Sequence, residues 1–160
     1  MTDDLALSAA LEREHVEIDV GLEQLGTSLA TGTVAAAPFA AAAATLRRHI
    51  YLEEEFLFPP LRTGGMVASV AVMFREHGDI WHALDEVEVQ IVGGAAPERV
   101  RGALDVLLEL LGEHNLKEER IVYPVIDRVM AGQSAHEMRG HLAGMRPYAG
   151  WTCQALRTPA

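Results

Sequence analysis

Four stretches of the chain carry apolar residues at alternating intervals of three and four, the spacing that lines one face of an α-helix with a stripe for packing. The first stripe runs Leu11, His15, Ile18, Leu22, Leu25 and Leu29, and the second Phe39, Ala42, Leu46, His49, Glu53 and Phe56. The third runs Val70, Met73, His77, Ile80, Leu84, Val87 and Ile91, and the fourth Val100, Leu104, Leu107, Leu111, His114, Glu118, Ile121 and Val125. Breaks rich in Gly, Pro and Thr separate them at 26–38, 59–65 and 93–97. No stretch alternates as a strand does. The pattern predicts an all-α fold, an up-down antiparallel four-helix bundle over residues 1–132. Residues 133–160 are expected to form a short helix through Leu142 and then a tail carrying Tyr148, Trp151 and Cys153, packed on the bundle or extending from it.

The chain also repeats itself. Arg13-Glu14-His15-x-x-Ile18 recurs as Arg75-Glu76-His77-x-x-Ile80, and His49-x-x-x-Glu53-Glu54-x-x-x-Phe58-Pro59 recurs as His114-x-x-x-Glu118-Glu119-x-x-x-Tyr123-Pro124. The two motifs are displaced by 62 and 65 residues, so the second half copies the first with a slightly longer linker. Two antiparallel helix hairpins related by a pseudo-twofold axis follow from this. Proline inside a helix removes a backbone bond at a cost of about 3 kcal/mol, so Pro59 and Pro124 predict a kink or a helix end.

Each stripe contains a histidine where Leu or Ile is the ordinary choice, and two contain a glutamate four positions later. Residues four apart on a helix share a face, so His49 with Glu53 and His114 with Glu118 point into the core. Any one of these residues alone is accounted for by ordinary core hydrogen bonding or by a solvated helix face. Four seam histidines, two seam glutamates and a matching repeat are a different matter, because burying such groups without partners is unfavourable by several kcal/mol each. A pair of metal ions compensates: imidazoles supply terminal nitrogens, and a carboxylate can span two cations. A mixed nitrogen and oxygen set suits iron, manganese or zinc rather than copper(I) or an iron–sulfur cluster.

Composition narrows the partners. At 160 residues the chain fits one domain that buries about two-thirds of its unfolded surface. A net charge of −10 repels a phosphate backbone, and no Lys/Arg cluster overrides it, so nucleic acid is not expected as a ligand. The longest apolar stretch, Val34 to Leu46, is broken by Pro38 and falls short of the roughly 20 residues of a membrane span, so no membrane partner is expected. The opening Thr2-Asp3-Asp4 lacks the pattern of a secretory signal, and the only cysteine, Cys153, permits no internal disulfide and no thiolate cluster. Both favour a cytoplasmic location.

With His15, His49/Glu53, His77 and His114/Glu118 in place, the sequence resembles the hemerythrin and HHE cation-binding family over about residues 8 to 130. The ferritin-like order, Glu-x-x-His, occurs only at Glu12-x-x-His15. The resemblance implies a non-heme centre of two iron ions. In it Glu53 and Glu118 are the bridging carboxylates, the four histidines are divided between the irons, and an oxo or hydroxo group completes the bridge. It further implies binding or scavenging of a small ligand such as O2, nitric oxide or peroxide. Alternatives are a di-iron oxidase or a peroxidase/catalase-like enzyme, and an iron-responsive regulatory module whose protein partner the sequence does not name. Oxygen carriers of the family have a second histidine one turn after the third-helix histidine, where this chain has Trp81, and His82 is rotated about 140° away. Asp19 is the first candidate for a replacement ligand, although an exposed helix acid is its ordinary role. Glu14, Glu54, Glu76 and Glu119 are displaced by about 100° from their seam neighbours and read as surface or outer carboxylates. Tyr51 and Tyr123 read as packed aromatics, His136 and His141 as surface histidines, and Met73, Phe74 and Trp81 as the wall of the pocket.

Overall fold

The computed structural model describes residues 6–131 and 133–157, and all regular structure among them is helical. Helix α1 spans Leu7–Ala30, α2 Ala36–Leu52, α3 Phe58–Thr63, α4 Val67–Val92, α5 Pro97–Lys117, α6 Tyr123–Val129 and α7 Gln133–Gly144. Two π-helical turns, Glu53–Leu57 and Glu118–Val122, join α2 to α3 and α5 to α6, so that four long rods result. The rod of α1 packs along α2 and α4 along α5, while contacts of α1 with α5 and of α2 with α4 close the ring. The outermost parts of the two expected units, residues 1–5, 132 and 158–160, lie outside the described residues.

Local chemistry explains the elements. The alanine run before Leu46 has the highest intrinsic helix propensity and gives α2 a thin face. A Cβ on Gly21 would sit 2.6 Å from the Ala42 Cβ, so glycine and alanine together allow α1 and α2 to meet closely. Pro97 occupies the first turn of α5, where its missing N–H would be unpaired in any case, with Glu98 beside it on the positive end of the helix. At the start of α1, Asp127 of α6 accepts from the Ser8 backbone N–H and hydroxyl and ties the beginning of the first rod to the end of the fourth.

The stripes are buried as predicted as far as His49, Glu53, Val87, His114 and Glu118. Two expectations are corrected. Helix α1 continues through Gly26 to Ala30, so the first break is confined to the short loop before α2; a Cβ on Gly26 would approach the Arg101 guanidinium at 3.3 Å. The second correction concerns register. Ile121 is 53 % exposed and Phe56 and Val125 are only partly buried, whereas Leu57, Phe58, Leu61, Val122, Tyr123 and Ile126 are buried. In the π turns the Phe58 N–H reaches back to the Glu53 carbonyl and the Tyr123 N–H to the Glu118 carbonyl, five residues rather than four. The extra residue turns the following side chains by about 100° relative to a regular helix. Pro59 and Pro124 follow directly; a regular turn would press their rings against the carbonyls of Glu55 and Arg120, and the wider turn precedes them in both halves.

Candidate metal centre

The four rods bring the six seam residues to one place. His15 of α1, His49 of α2, His77 of α4, His114 of α5 and the glutamates of both π turns, Glu53 and Glu118, are at most 4 % exposed. In one half of the cluster the His15 Nε2 lies 3.1 Å from His49 Nε2 and 3.3 Å from Glu118 Oε2, and His49 Nε2 lies 3.2 Å from Glu53 Oε1. In the other half His77 Nε2 lies 3.3 Å from Glu53 Oε2 and 3.8 Å from Glu118 Oε1, and His114 Nε2 lies 3.0 Å from Glu118 Oε1. Each glutamate thus turns one oxygen to each half.

A seventh group, which the regular helical wheel places off the seam, enters through the π turn. The Tyr123 Oη lies 2.9 Å from Glu53 Oε1, 3.1 Å from Glu118 Oε2, 2.9 Å from His15 Nε2 and 3.2 Å from His49 Nε2. Its ring stacks on His15 at 5.6 Å, as the ring of Phe58, its counterpart in the repeat, stacks on His77 at 5.6 Å. Tyr123 is therefore a site residue that the α-helical reading treats as packing. The signal available in the sequence is the recurring Glu-Glu-x-x-x-aromatic-Pro, whose proline marks the wider turn.

Each of the four seam histidines uses its other nitrogen on an outer carboxylate. The Nδ1 of His15 is paired with Glu119 at 2.9 Å, that of His49 with Glu14 at 2.8 Å, that of His77 with Glu54 at 2.9 Å and that of His114 with Glu76 at 3.0 Å. These four glutamates are the sequence neighbours of the seam residues. They fix each ring so that Nε2 faces the centre, the arrangement by which carboxylates orient metal-ligating imidazoles.

The electrostatics require a cation or its substitute. Burial would lower the His49 pKa, but the Glu53 charge, hydrogen bonds to Glu14 and Glu53, and the Glu118 charge lift it to about 10. The same contest between burial and carboxylates leaves His77 well above the ordinary imidazole value and raises His114. Burial would raise Glu118, but the His114 charge and the close approach of the His114, His15 and His77 nitrogens hold it well below the usual carboxylate range. Burial and the charges of Glu118 and Glu53 keep the Tyr123 phenol protonated. Protons thus stand where cations would bind. Even so, Glu53 Oε2, His77 Nε2 and Glu118 Oε1 are buried and face one another at ion-pair distance without a well-directed hydrogen bond. Glu53, His77, His114 and Glu118 offer ligand atoms all within 4.8 Å of one another, as do His15, His49 and Glu118. Donors about 2.0–2.2 Å from one ion lie roughly 3–4 Å apart, so the nitrogen and oxygen set fits metal ions.

The other predicted neighbours fall further out. Asp19 is partly buried and belongs to neither convergent group. It lines a groove of about 440 Å³ between α1 and α5 together with His15, Glu23, Asn115 and Glu119. Burial raises its pKa. Tyr51 packs edge-on against Phe56 and Trp151, and Trp81 against Trp151, with the Arg47 guanidinium over its ring. Phe74 packs edge-on against Phe58, whose ring stacks on His77, and Met73 borders a cavity with Lys117 and Val122. His82, His136 and His141 are exposed.

Among the described residues no helix is long and apolar enough to cross a membrane. Comparison with curated proteins and with solved structures found no match. The model of the hemerythrin HHE cation-binding domain matches residues 6–126, which span all six seam residues, the four outer carboxylates and Tyr123. The chain therefore belongs to the hemerythrin HHE cation-binding domain family.

Proposed function

We propose that the protein is a non-heme di-iron protein, built as an up-down antiparallel four-helix bundle, that binds or scavenges a small ligand such as O2, nitric oxide or peroxide. His15 and His49 would hold one ion, with the Tyr123 oxygen as a further donor, and His77 and His114 the other. Glu53 and Glu118, with one oxygen turned to each half, would span both. The observation that carries the reading is the convergence of Glu53 Oε2, His77 Nε2 and Glu118 Oε1, none with a well-directed hydrogen bond, in a fully buried place. Bound iron supplies the redox-active open coordination position that a small ligand needs. The protein supplies ligands, outer carboxylates that hold them, and the groove along α1 and α5 that ends on His15 as a way in. The cytoplasm, where a lone thiol such as Cys153 stays reduced, is the proposed location.

Elemental analysis of protein purified in air, with its visible spectrum, tests the reading. About two irons per chain, as the two convergent groups require, and charge-transfer bands near the violet edge are expected. Stoichiometric zinc, or no metal after iron reconstitution, overturns it. Turnover of peroxide by the iron-loaded protein separates an enzyme from a carrier or sensor.

A further inference from the structure

Residues beyond 126 lie outside the family match, yet they reach the outer shell of the centre in both halves. On one side the Gln154 backbone N–H donates to Glu54 Oε2 at 2.8 Å, and the other oxygen of Glu54 holds His77 Nδ1 at 2.9 Å. On the other, Arg48 donates to the carbonyls of Met145 and Leu142 at 3.0 and 2.6 Å and to Glu14 Oε1 at 2.9 Å. The second oxygen of Glu14 holds His49 Nδ1 at 2.8 Å.

The segment is seated rather than draped. Trp151 is 6 % exposed and packs between Tyr51 and Trp81, while its indole N–H donates to Glu55 at 2.9 Å. Cys153 is fully buried. Gly78 of α4 lets the chain come close, since a Cβ there would lie 2.6 Å from the Ala155 Cβ. Glu54 has a side chain 2 % exposed beneath this cover, whereas Glu119, which serves His15, is 39 % exposed on the groove side.

We propose that the C-terminal segment from Leu142 to Arg157 is a clamp on the metal centre, positioning His77 through Glu54 and His49 through Arg48 and Glu14 and closing that face of the bundle. The inference rests on the metal-binding reading above. Removing an outer partner of a metal-bound histidine typically weakens the metal by 10–100-fold. The clamp therefore makes retention of each ion depend on a part of the chain that contributes no ligand.

A test aimed at one hydrogen bond is available. Gln154 is exposed and begins a 3-10 turn, and Cys153 before it has φ −62° and ψ 155°, a backbone that suits the residue preceding a proline. Gln154→Pro therefore deletes the N–H that Glu54 accepts with little other change. The full-length protein is loaded with iron(II) without oxygen and challenged with excess chelator. In Gln154→Pro one ion per chain should leave about tenfold faster than in the parent protein while the other keeps its rate, and Gln154→Ala, which retains the N–H, should match the parent. Arg48→Met should speed loss of one ion in the same way, and the double variant should speed both. Unchanged release in Gln154→Pro, or equal acceleration of both ions by that change alone, overturns the clamp. A parent protein that holds no iron in the first place overturns the functional reading, and the clamp with it.

Discussion

The half of the centre made by His15 and His49 and the half made by His77 and His114 descend from the same sequence pattern and differ at their inner face by one oxygen. Both have their imidazole rings 4.8 Å apart, an aromatic ring stacked on one of them, and a glutamate on every Nδ1. Where the repeat has Tyr123, its hydroxyl touches both Nε2 atoms and one oxygen of each glutamate. Where the repeat has Phe58, three of the facing atoms, Glu53 Oε2, His77 Nε2 and Glu118 Oε1, lack a well-directed hydrogen bond. A buried polar group left unpaired costs about 1–3 kcal/mol, so the Phe58 half demands a cation more strongly. The Tyr123 half carries a neutral substitute. One hydroxyl thus makes two halves with the same fold chemically unequal.

The largest effect expected on that comparison comes from the shared residues. Glu118 lies within 4 Å of His15, His77 and His114, so Glu118→Ala removes an anion from both halves and should abolish binding of both proposed ions. His114→Ala should strip its own half first, and the exposed His136→Ala should leave metal content unchanged. Elemental analysis of the three purified variants decides the matter, and equal loss in all three refutes the assignment.

Next in size is the response to pH. The folded-state pKa of His49 is raised from 6.5 to about 10, so its ion pairing stabilises the metal-free fold fully below pH 6.5 and is lost as pH rises toward 10. Metal works in the opposite sense, because it competes with those protons. Thermal melting should show the metal-free protein losing stability over this window while the upward shift caused by metal grows. A metal shift that shrinks over the same window contradicts the exchange of protons for cations.

Exchanging the two aromatic residues sharpens the comparison directly. Tyr123→Phe removes a hydroxyl bonded to buried carboxylates and should destabilise the metal-free protein by about 1.5–3 kcal/mol. Phe58→Tyr should offer a partner to the unpaired atoms, raise metal-free stability and slow loading of that half. If neither change moves the metal-free melting point, the two halves are not distinguished by that oxygen.

The helices and the six seam residues were legible because an α-helix repeats with a constant period, and a histidine or glutamate at a leucine position breaks the stripe visibly. The shift after Glu53 and Glu118 was not, since a helical wheel assumes i to i−4 bonding throughout. With that assumption Ile121 belongs to the core and Tyr123 lies about 140° from Glu118, whereas the π turn buries Tyr123 and exposes Ile121. The outer glutamates were placed beside the seam, but which histidine each would hold depends on neighbouring rods: Glu119 serves His15 across the bundle and Glu54 serves His77. The contact of the tail with Glu54 left no trace in periodicity. It is made by a backbone N–H, which every residue except proline carries.

The smallest effect expected distinguishes the two kinds of outer carboxylate. Glu119 is 39 % exposed, and in Glu119→Gln the amide oxygen can still accept from His15 Nδ1, so water screens the lost charge and the change should stay within about 1 kcal/mol. Glu54 is 2 % exposed and spends one oxygen on His77 and the other on the Gln154 N–H, so a glutamine there has one acceptor for two donors. Glu54→Gln should therefore loosen the ion proposed at His77, whereas Glu119→Gln leaves its proposed counterpart nearly untouched. Chelator-driven release from the two variants measures the difference. Equal rates would mean that burial of the outer carboxylate, and with it the cover that the tail provides, has no bearing on how firmly the centre is held.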